Sequence, residues 1–235
     1  MKSLIFGYGV TGQSFERYLE KQGEAYEIYD ANVKGSNIIN KLPDRKKLDS
    51  YKMIYLSPGI NIRKIYSGGE FNNIPYTTDL DIFFKEDNSV KIGITGTNGK
   101  STCCYHLHQL LAGSQLIGNI GTPVLDNINS CSYSIIEISS FQLEKLKDIN
   151  LDFGVLLNIT PDHIDHHGSF AEYKKIKNKI KKSKISTKQS DPKKLWSMIT
   201  GREENEVKDI KLSDLPHRLE HILTKGNLVF INDSK

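Results

Sequence analysis

Cysteine is scarce in this sequence. The 235 residues include three cysteines, Cys103, Cys104 and Cys131. Their number is odd and no two of them form a C-x-x-C pair, which argues against a disulfide framework and against a cysteine zinc site. We therefore expect reduced thiols that are mostly buried.

Long apolar runs are also absent. No stretch approaches the roughly 18 consecutive apolar residues that a membrane-spanning helix needs. The first residues, MKSLIFGYGV, lead directly into a strand and show no cleavage site of a signal peptide. We expect a protein of the cytoplasm that has no membrane partner.

Positive charge is concentrated in one part of the chain. The net charge is +4, yet residues 174–194 contain ten lysines and one acidic residue, Asp191. This window lacks the interleaved aromatic residues that stack on bases, and it matches no nucleic-acid motif. We expect a solvated lysine-rich helix and no nucleic-acid partner.

Two glycine-rich loops indicate two domains. A chain of 235 residues with 37% hydrophobic content can bury one large core or two small ones. The loops lie about ninety residues apart, and each follows a run of β-branched and aromatic residues, which favours two units. The predicted fold class is α/β, with a Rossmann-like N-terminal domain followed by a shortened P-loop-type domain that binds ATP on a parallel sheet.

The first loop follows the apolar stretch KSLIFGYG. Gly7, Gly9 and Gly12 satisfy G-x-G-x-x-G, a helical pattern follows, and the next strand, AYEIYD, ends on Asp30. This order is typical of dinucleotide-binding units, although the glycines could also serve only a tight turn. A third strand, in YKMIYLSPGI, leads into Ser57-Pro58-Gly59 at the same sheet edge. From these residues alone, NAD binding and a structural turn both stay open.

The second loop lies between the predicted strand VKIGITG and the predicted helix KSTCCYHLHQLLAG. The usual phosphate-loop pattern G-x-x-x-x-G-K-[ST] would need glycine at Ile94, so this loop is the shorter variant G-x-x-G-K-[ST]. Its backbone N–H groups and the helix N-terminus suit an anion. Lys100 would add a point charge on phosphates and Ser101 a hydroxyl for Mg²⁺. Glu137 ends the apolar strand YSIIEIS beside this loop, where a carboxylate ligand for Mg²⁺ fits.

The stretch TPDHIDHHGS is rich in polar and charged side chains. It carries Asp162, His163, Asp165, His166 and His167 within six positions. Taken alone, such a stretch is either a transition-metal site or a polar loop.

Several longer motifs occur in one order along the chain. TGTNGKST, GNIGTP, EISSFQLE and NITPDHIDHHGSFAEY together resemble the Mur ligase family, and SSFQLE with LPHRLE and INDSK is most similar to its D-glutamate-adding branch. The resemblance implies an ATP- and Mg²⁺-dependent ligase of peptidoglycan synthesis. Such a ligase phosphorylates the carboxylate of UDP-N-acetylmuramoyl-L-alanine, and the amine of D-glutamate then attacks the acyl phosphate.

The resemblance also implies roles for single residues. The first loop would hold the uridine part of the substrate, not NAD, through Gly9, Val10, Thr11, Gly12, Asp30, Ser57, Pro58 and Gly59. The second would hold ATP through Gly96, Thr97, Asn98, Gly99, Lys100, Ser101 and Thr102, joined by Arg218 and Asp233. Contacts to the muramoyl-alanine portion would come from Asn119, Ser139 and Gln142.

The implied magnesium ligands are Ser101, Glu137, His163 and a modified lysine. The family carries a lysine, four residues after a tyrosine, that reacts with CO₂ to form a carbamate, and EYKKIK places Lys177 four residues after Tyr173. The alternative is one more solvated lysine. His167 aligns with a common family histidine, whereas His166 stands where arginine is frequent. The implied catalytic set is Lys100, Glu137, His163 and Lys177.

The resemblance also predicts what the chain lacks. A complete ligase of this kind has three domains, so we expect a uridine-substrate domain at residues 1–89, a shortened ATPase domain at 90–215 and a junction to an absent third domain at 216–235. Residues 183–214 contain no G-x-H-N-x-x-N stretch and carry one plausible helix, PKKLWSMI. The sheet edge there would be exposed. Two alternatives follow, namely an inactive fragment that only binds nucleotide or UDP-sugar, and an NAD-dependent dehydrogenase.

Overall fold

The computed structural model describes residues 1–35, 37–215, 220–225 and 228–232. Two of the predicted ATP-site residues, Arg218 and Asp233, lie outside the described residues. In the described part, no helix is both long and apolar enough to cross a membrane.

The first half of the chain forms a five-stranded parallel sheet in the order β3-β2-β1-β4-β5. Its strands are β1 (Ser3–Phe6), β2 (Tyr26–Tyr29), β3 (Ile38–Ile39), β4 (Ile54–Leu56) and β5 (Tyr76–Thr77). The connecting helices are α1 (Val10–Lys21), α2 (Arg45–Asp49), α3 (Ile62–Ile65) and α4 (Asp79–Glu86). The predicted Rossmann-like order of strand, glycine turn, helix and strand is confirmed.

The second half forms another five-stranded parallel sheet, in the order β10-β9-β6-β8-β7. Its strands are β6 (Val90–Thr95), β7 (Ser114–Gly118), β8 (Tyr133–Glu137), β9 (Phe153–Leu156) and β10 (Ile185–Thr187). Its helices are α5 (Lys100–Leu110), α6 (Ser140–Lys145), α7 (Ile164–His167), α8 (Phe170–Asn178) and α9 (Pro192–Thr200). Both halves are therefore parallel α/β units, as the two loops predict.

Three short 3₁₀ helices and one hairpin complete the described chain. The 3₁₀ segments are Val124–Asn127, Lys179–Lys182 and Glu204–Glu206. The antiparallel strands of the hairpin are β11 (Glu220–Lys225) and β12 (Leu228–Asn232).

The expectation of one solvated lysine-rich helix at residues 174–194 is wrong. The window contains the end of α8, a 3₁₀ turn, strand β10 and the start of α9. Lys177 is buried, because the side of α8 that carries Ile176 and Lys177 packs onto the sheet. Lys179 follows α8 and is half-buried, because its Nζ donates to backbone oxygens of α6. The pattern of charges alone could not show this, since both lysines are surrounded by exposed ones.

The helix predicted at PKKLWSMI is confirmed as α9. Asp191 caps it by accepting hydrogen bonds from the N–H groups of Lys193 and Lys194, and Gly201 ends it with a φ of +69°. Leu195 and Trp196 are buried against α5 and β6. Strand β10, which the sequence did not predict, extends the sheet by one strand, and its side chains are largely exposed.

Apolar side chains of both sheets meet in one cluster. Ile5 and Phe15 of the first unit share it with Ile136 and Leu143 of the second. Helix α4 connects the two, since Leu80 and other residues of its apolar face belong to the same cluster. Instead of two separate cores, the chain thus has a core that continues from one sheet to the other.

Gly12 lets helix α1 approach the first loop closely, and this predicts a stability effect. A Cβ atom at Gly12 would lie 2.2 Å from the carbonyl oxygen of Gly7, whereas a Cβ at Gly9 would meet nothing within 4 Å. We expect Gly12→Ala to lower the free energy of unfolding by about 2–3 kcal/mol, and Gly9→Ala by less than about 1 kcal/mol. Denaturant unfolding of both variants tests this, and equal losses would contradict it.

Candidate active site

The second glycine-rich loop connects β6 to α5 in a fixed conformation. Gly99 has a φ of +80°, which a residue with a side chain rarely adopts. The N–H groups of Thr97 and Asn98 donate to the backbone oxygen and to Oδ1 of Asn158, both at 2.9 Å. Helix α5 then begins at Lys100, so the unpaired N–H groups of its first turn lie at the mouth of the loop. This arrangement suits a phosphate group.

Asn158 was not among the residues predicted for the site. It follows strand β9, and its amide also donates to the backbone oxygen of Asn98 at 2.9 Å. Because β9 is adjacent to β6, residues that follow the two strands meet at one sheet edge. The position of Asn158 two residues after the buried strand β9 was a usable signal for this contact.

Ser101 and Glu137 meet beside the loop. The hydroxyl of Ser101 donates to Oε2 of Glu137 at 2.7 Å, and the side-chain amide of Asn119 donates to Oε1 at 2.8 Å. Glu137 is buried at the end of β8. A hydroxyl and a carboxylate in contact are oxygen donors of the type that Mg²⁺ prefers. Three predicted site residues are thus brought together. Ser101 comes from α5, Asn119 from the turn after β7 and Glu137 from the end of β8.

Lys177 lies on the other side of the same loop. Its Nζ donates to Oγ1 of Thr95 at 3.0 Å and to the backbone oxygen of Gly96 at 2.9 Å. The side chain is buried, and its Nζ lies 5.5 Å from the ring centroid of Tyr173. Burial, together with the charge of Lys100, lowers the pKa of Lys177 to about 7. A substantial fraction of this amine is therefore neutral at physiological pH.

This shifted pKa predicts how stability depends on pH. The ordinary pKa is 10.5, so the unfolded chain binds more protons than the folded chain between about pH 7 and pH 10.5. The contribution of Lys177 to the free energy of unfolding therefore rises with pH across this window. It is lost as the pH falls to the folded-state pKa of about 7. We expect Lys177→Met to lower the slope of the free energy of unfolding against pH by up to about 1.4 kcal/mol per pH unit.

Denaturant unfolding in CO₂-depleted buffer at several pH values measures this slope. Lys174→Met is the matched control, because Lys174 is exposed on the same helix. Some slope should persist in the Lys177 variant, since burial lowers the pKa of Lys145 to about 8. Equal slopes in the wild type and in Lys177→Met would contradict the burial of a titrating amine at this position.

Lys100 folds back over its own loop. Its Nζ donates to the backbone oxygen of Thr97 at 2.9 Å. The ammonium group is therefore already held at the loop, where a bound phosphate would meet the first turn of α5. Thr97 in turn contacts Tyr173, with 3.0 Å between its Oγ1 and the phenol oxygen. Lys100, Thr97, Tyr173 and Lys177 thus form one connected group around the loop.

His163 lies beside this group. It precedes α7 with a φ of +49°, and its side chain is 45% exposed. Its ring packs at a tilt of 53° against Phe141, with 4.9 Å between the centroids, and its Nε2 lies 3.5 Å from Oδ2 of Asp162. Within the described residues, it is not part of a group of three potential metal ligands. Ser101 and Glu137 are thus in contact, and His163 approaches the loop through Tyr173, with 6.5 Å between the two ring centroids.

The first loop is held by Asp30. The Asp30 carboxylate accepts hydrogen bonds from the N–H groups of Tyr8, Asn32 and Val33. Burial alone would raise the pKa of Asp30, but these three donors lower it. The hydroxyl of Ser57 donates to the Gly7 oxygen at 2.8 Å, which brings the two predicted substrate segments together.

The remaining residues of this loop surround its opening. Gly9 caps α1, and Val10, which is 69% exposed, begins the helix beside Thr11 and Gly12. The Pro58 oxygen, next to Gly59, accepts a hydrogen bond from Lys145 at 2.5 Å. This bond ties the first unit to the second at the predicted substrate loop.

Ser139 and Gln142 form a capping box at the start of α6. Ser139 accepts from the N–H of Gln142, and the Gln142 side chain accepts from the N–H of Ser139. Gln142 is buried, and it also contacts Asp79, whose pKa burial raises to about 6. These contacts position α6. They give the two residues a structural role in addition to the substrate contacts predicted for them.

The chain matches known proteins over a large part of its length. Residues 94–190 match the model of the Mur ligase middle domain. The UDP-N-acetylmuramoylalanine–D-glutamate ligase of Rickettsia prowazekii (strain Madrid E) is 37% identical over 190 residues, which are 75% of this chain and 42% of that protein. The ligase of the same name from Wolbachia pipientis wMel is 35% identical over 192 residues, 75% of this chain and 38% of that protein.

A solved structure with a similar fold is UDP-N-acetylmuramate-alanine ligase MurC from Thermotoga maritima. It has 15% sequence identity and a TM-score of 0.44, and the match covers 79% of this chain and 48% of that one. The chain spans less than half the length of the two curated relatives.

Proposed function

This chain is a relative of the Mur ligases, and from that premise we propose that it is an ATP-dependent amide-bond-forming ligase of peptidoglycan precursor synthesis. We infer that it adds D-glutamate to UDP-N-acetylmuramoyl-L-alanine. The observation that carries the proposal is the contact between Ser101 and Glu137 at a phosphate loop of the shorter type. The similarity to ligases that bear this name supports the choice of substrates.

The two units would divide the substrates between them. In this proposal, residues 1–89 hold the uridine part of the precursor at the first loop, and residues 90–215 hold ATP at the second. Residues 216–235 would connect this part to whatever binds the incoming amino acid. The bond between Lys145 and the Pro58 oxygen supports contact between the two units at the predicted substrate segment Ser57-Pro58-Gly59.

The reaction requires positive charge and correct positioning of the reactants more than covalent catalysis. A carboxylate becomes an electrophile when phosphorylation turns one of its oxygens into a leaving group, after which the amine of D-glutamate can displace phosphate. Transfer of a phosphoryl group between two anions is disfavoured by repulsion. Lys100 and the first turn of α5 would offset this repulsion by holding the phosphates.

Magnesium fits the oxygen donors at the loop. Ser101 and Glu137 would hold it, and when bound it would neutralise phosphate charge. Asn119 supports this arrangement, since its amide orients the Glu137 carboxylate from the opposite oxygen.

Lys177 would contribute in a modified form. A neutral amine adds to CO₂ and releases one proton, which leaves a carbamate with anionic oxygens in place of a cation. The low pKa of Lys177 and its burial beside the Gly96 oxygen support this reaction. Its position next to the loop makes it a better candidate than the exposed Lys174.

Phosphate release from Mg²⁺-ATP tests the proposed function. We expect this chain to release phosphate only when UDP-N-acetylmuramoyl-L-alanine is present and to complete the reaction when D-glutamate is added. Mass spectrometry should then show the precursor extended by D-glutamate. Binding of the uridine substrate without any release would favour the alternative of a nucleotide- or UDP-sugar-binding protein. Thermal protection by NAD, and not by the uridine substrate, would favour the dehydrogenase.

A further inference from the structure

A second cluster of potential ligands lies away from the phosphate loop. Glu144 of α6 and His166 and His167 of α7 each offer one atom, and these three atoms lie within 4.8 Å of one another. His166 Nε2 is 2.8 Å from Oε2 of Glu144, and His167 Nδ1 is 3.9 Å from Oε1. Both carboxylate oxygens therefore face an imidazole nitrogen.

His167 is the buried member of the cluster. Its side chain is fully buried, and its Nδ1 has no hydrogen-bond partner among the described residues. The other ring nitrogen, Nε2, lies 3.0 Å from the hydroxyl of Ser140. Burying a polar atom without a hydrogen-bond partner costs free energy. The unpaired Nδ1 of His167, directed at the Glu144 carboxylate, therefore indicates a ligand that binds both groups.

The donor set limits what this ligand is. Two imidazole nitrogens and one carboxylate oxygen are the ligands found in zinc sites that keep a position open for water. Magnesium and calcium prefer oxygen donors, which this cluster does not supply in sufficient number. The cluster therefore differs in chemistry from Ser101 and Glu137.

We propose that Glu144, His166 and His167 bind one divalent transition-metal ion, with zinc as the ion that suits them best. Binding at Nε2 moves the ring proton of the neutral His166 from Nε2 to Nδ1, because the metal takes the lone pair of Nε2. The Glu144 oxygen that accepted this proton's hydrogen bond then binds the metal instead. Asn61, the residue that caps α3, has its amide nitrogen 3.2 Å from Nδ1 and has to turn its oxygen toward that atom.

Such an ion would connect three helices. It joins α6 to α7 directly, and through His166 and Asn61 it reaches α3 of the first unit. The hydroxyl of Ser140 orients His167 by accepting a hydrogen bond from its Nε2–H. Metal-bound histidines usually donate their second N–H in this way. This site does not depend on the proposed ligase activity, because none of its members touches the phosphate loop.

Calorimetric titration of the full chain with Zn²⁺, in excess Mg²⁺, tests the proposal. We expect one ion per chain and the visible absorption bands of a tetrahedral site when Co²⁺ replaces zinc. His166→Arg should weaken zinc binding about 100-fold, and Ser140→Ala about 10-fold. Arginine at this position can still pair with Glu144, so the fold is retained.

His163→Ala is the matched control, because His163 is a neighbouring histidine outside the cluster. We expect it to change zinc affinity by no more than about twofold, and Asn61→Asp to strengthen binding about 10-fold by accepting the Nδ1 proton. The proposal is overturned if the wild type binds no zinc in excess Mg²⁺. It is also overturned if His163→Ala abolishes binding while His166→Arg leaves it unchanged.

Discussion

Replacing Lys100 with alanine is expected to abolish ATP-dependent phosphoryl transfer and to leave binding of the uridine substrate within about twofold. Lys100 Nζ is held at the second loop through the Thr97 oxygen, and it is the charged side chain that begins α5. Loss of a preorganised positive charge at the phosphates should cost at least about 1,000-fold in kcat. The first loop lies in the other sheet and makes none of these contacts.

Phosphate release and calorimetric titration with UDP-N-acetylmuramoyl-L-alanine measure the two effects separately. Lys174→Ala serves as the control, because it removes a lysine from the exposed surface of α8. Circular dichroism shows whether the Lys100 variant is folded. A parallel loss of phosphate release and of uridine-substrate binding in a folded variant would mean that the two loops are not separate sites.

Lys177→Ala is the second change with a large expected effect. If Lys177 acts as a carbamate, its removal takes away an anionic oxygen ligand beside the phosphate loop and should lower kcat by about 100-fold or more. A short added carboxylate, such as acetate or formate, should restore part of the activity, because it can enter the space that the side chain leaves. If Lys177 acted as an unmodified cation, an added anion would not restore activity to Lys177→Ala.

The dependence on CO₂ distinguishes a carbamate from an ordinary lysine. The wild type should lose activity in CO₂-depleted buffer and regain it on addition of bicarbonate, and mass spectrometry under native conditions should show the added CO₂. Lys174→Ala should respond as the wild type does. Rates in Lys177→Ala that equal those of the wild type, with and without CO₂, would show that Lys177 is only a packed side chain.

The loops and strands were predictable from the sequence because their signals are local. Glycines at Gly7, Gly9 and Gly12 follow an apolar run, and the structure shows the expected strand, turn and helix there. Glu137 ends a strand, and parallel strands place their carboxyl ends at one sheet edge, so its proximity to Ser101 followed from topology.

Burial and side-chain pairing were not predictable in the same way. Lys177 and Lys174 look alike in the sequence, and only the packing of α8 onto the sheet makes one buried and the other exposed. The pairing of Glu144 with His166 joins residues 22 positions apart, on two short helices whose relative placement depends on the whole core. Strand β10 was missed because its three residues, Ile185–Thr187, are largely exposed and too few to show a periodicity.

Transfer of oxygen from the substrate carboxylate to phosphate is the most direct test of ligation through an acyl phosphate. UDP-N-acetylmuramoyl-L-alanine labelled with ¹⁸O in the carboxylate of its alanine is incubated with this chain, Mg²⁺-ATP and D-glutamate, and the released phosphate is analysed by mass spectrometry. Because the acyl phosphate breaks between carbon and oxygen when the amine attacks, the account predicts that each released phosphate carries an oxygen from the carboxylate. Unlabelled phosphate, or no phosphate from folded protein that binds both ATP and the uridine substrate, would contradict it.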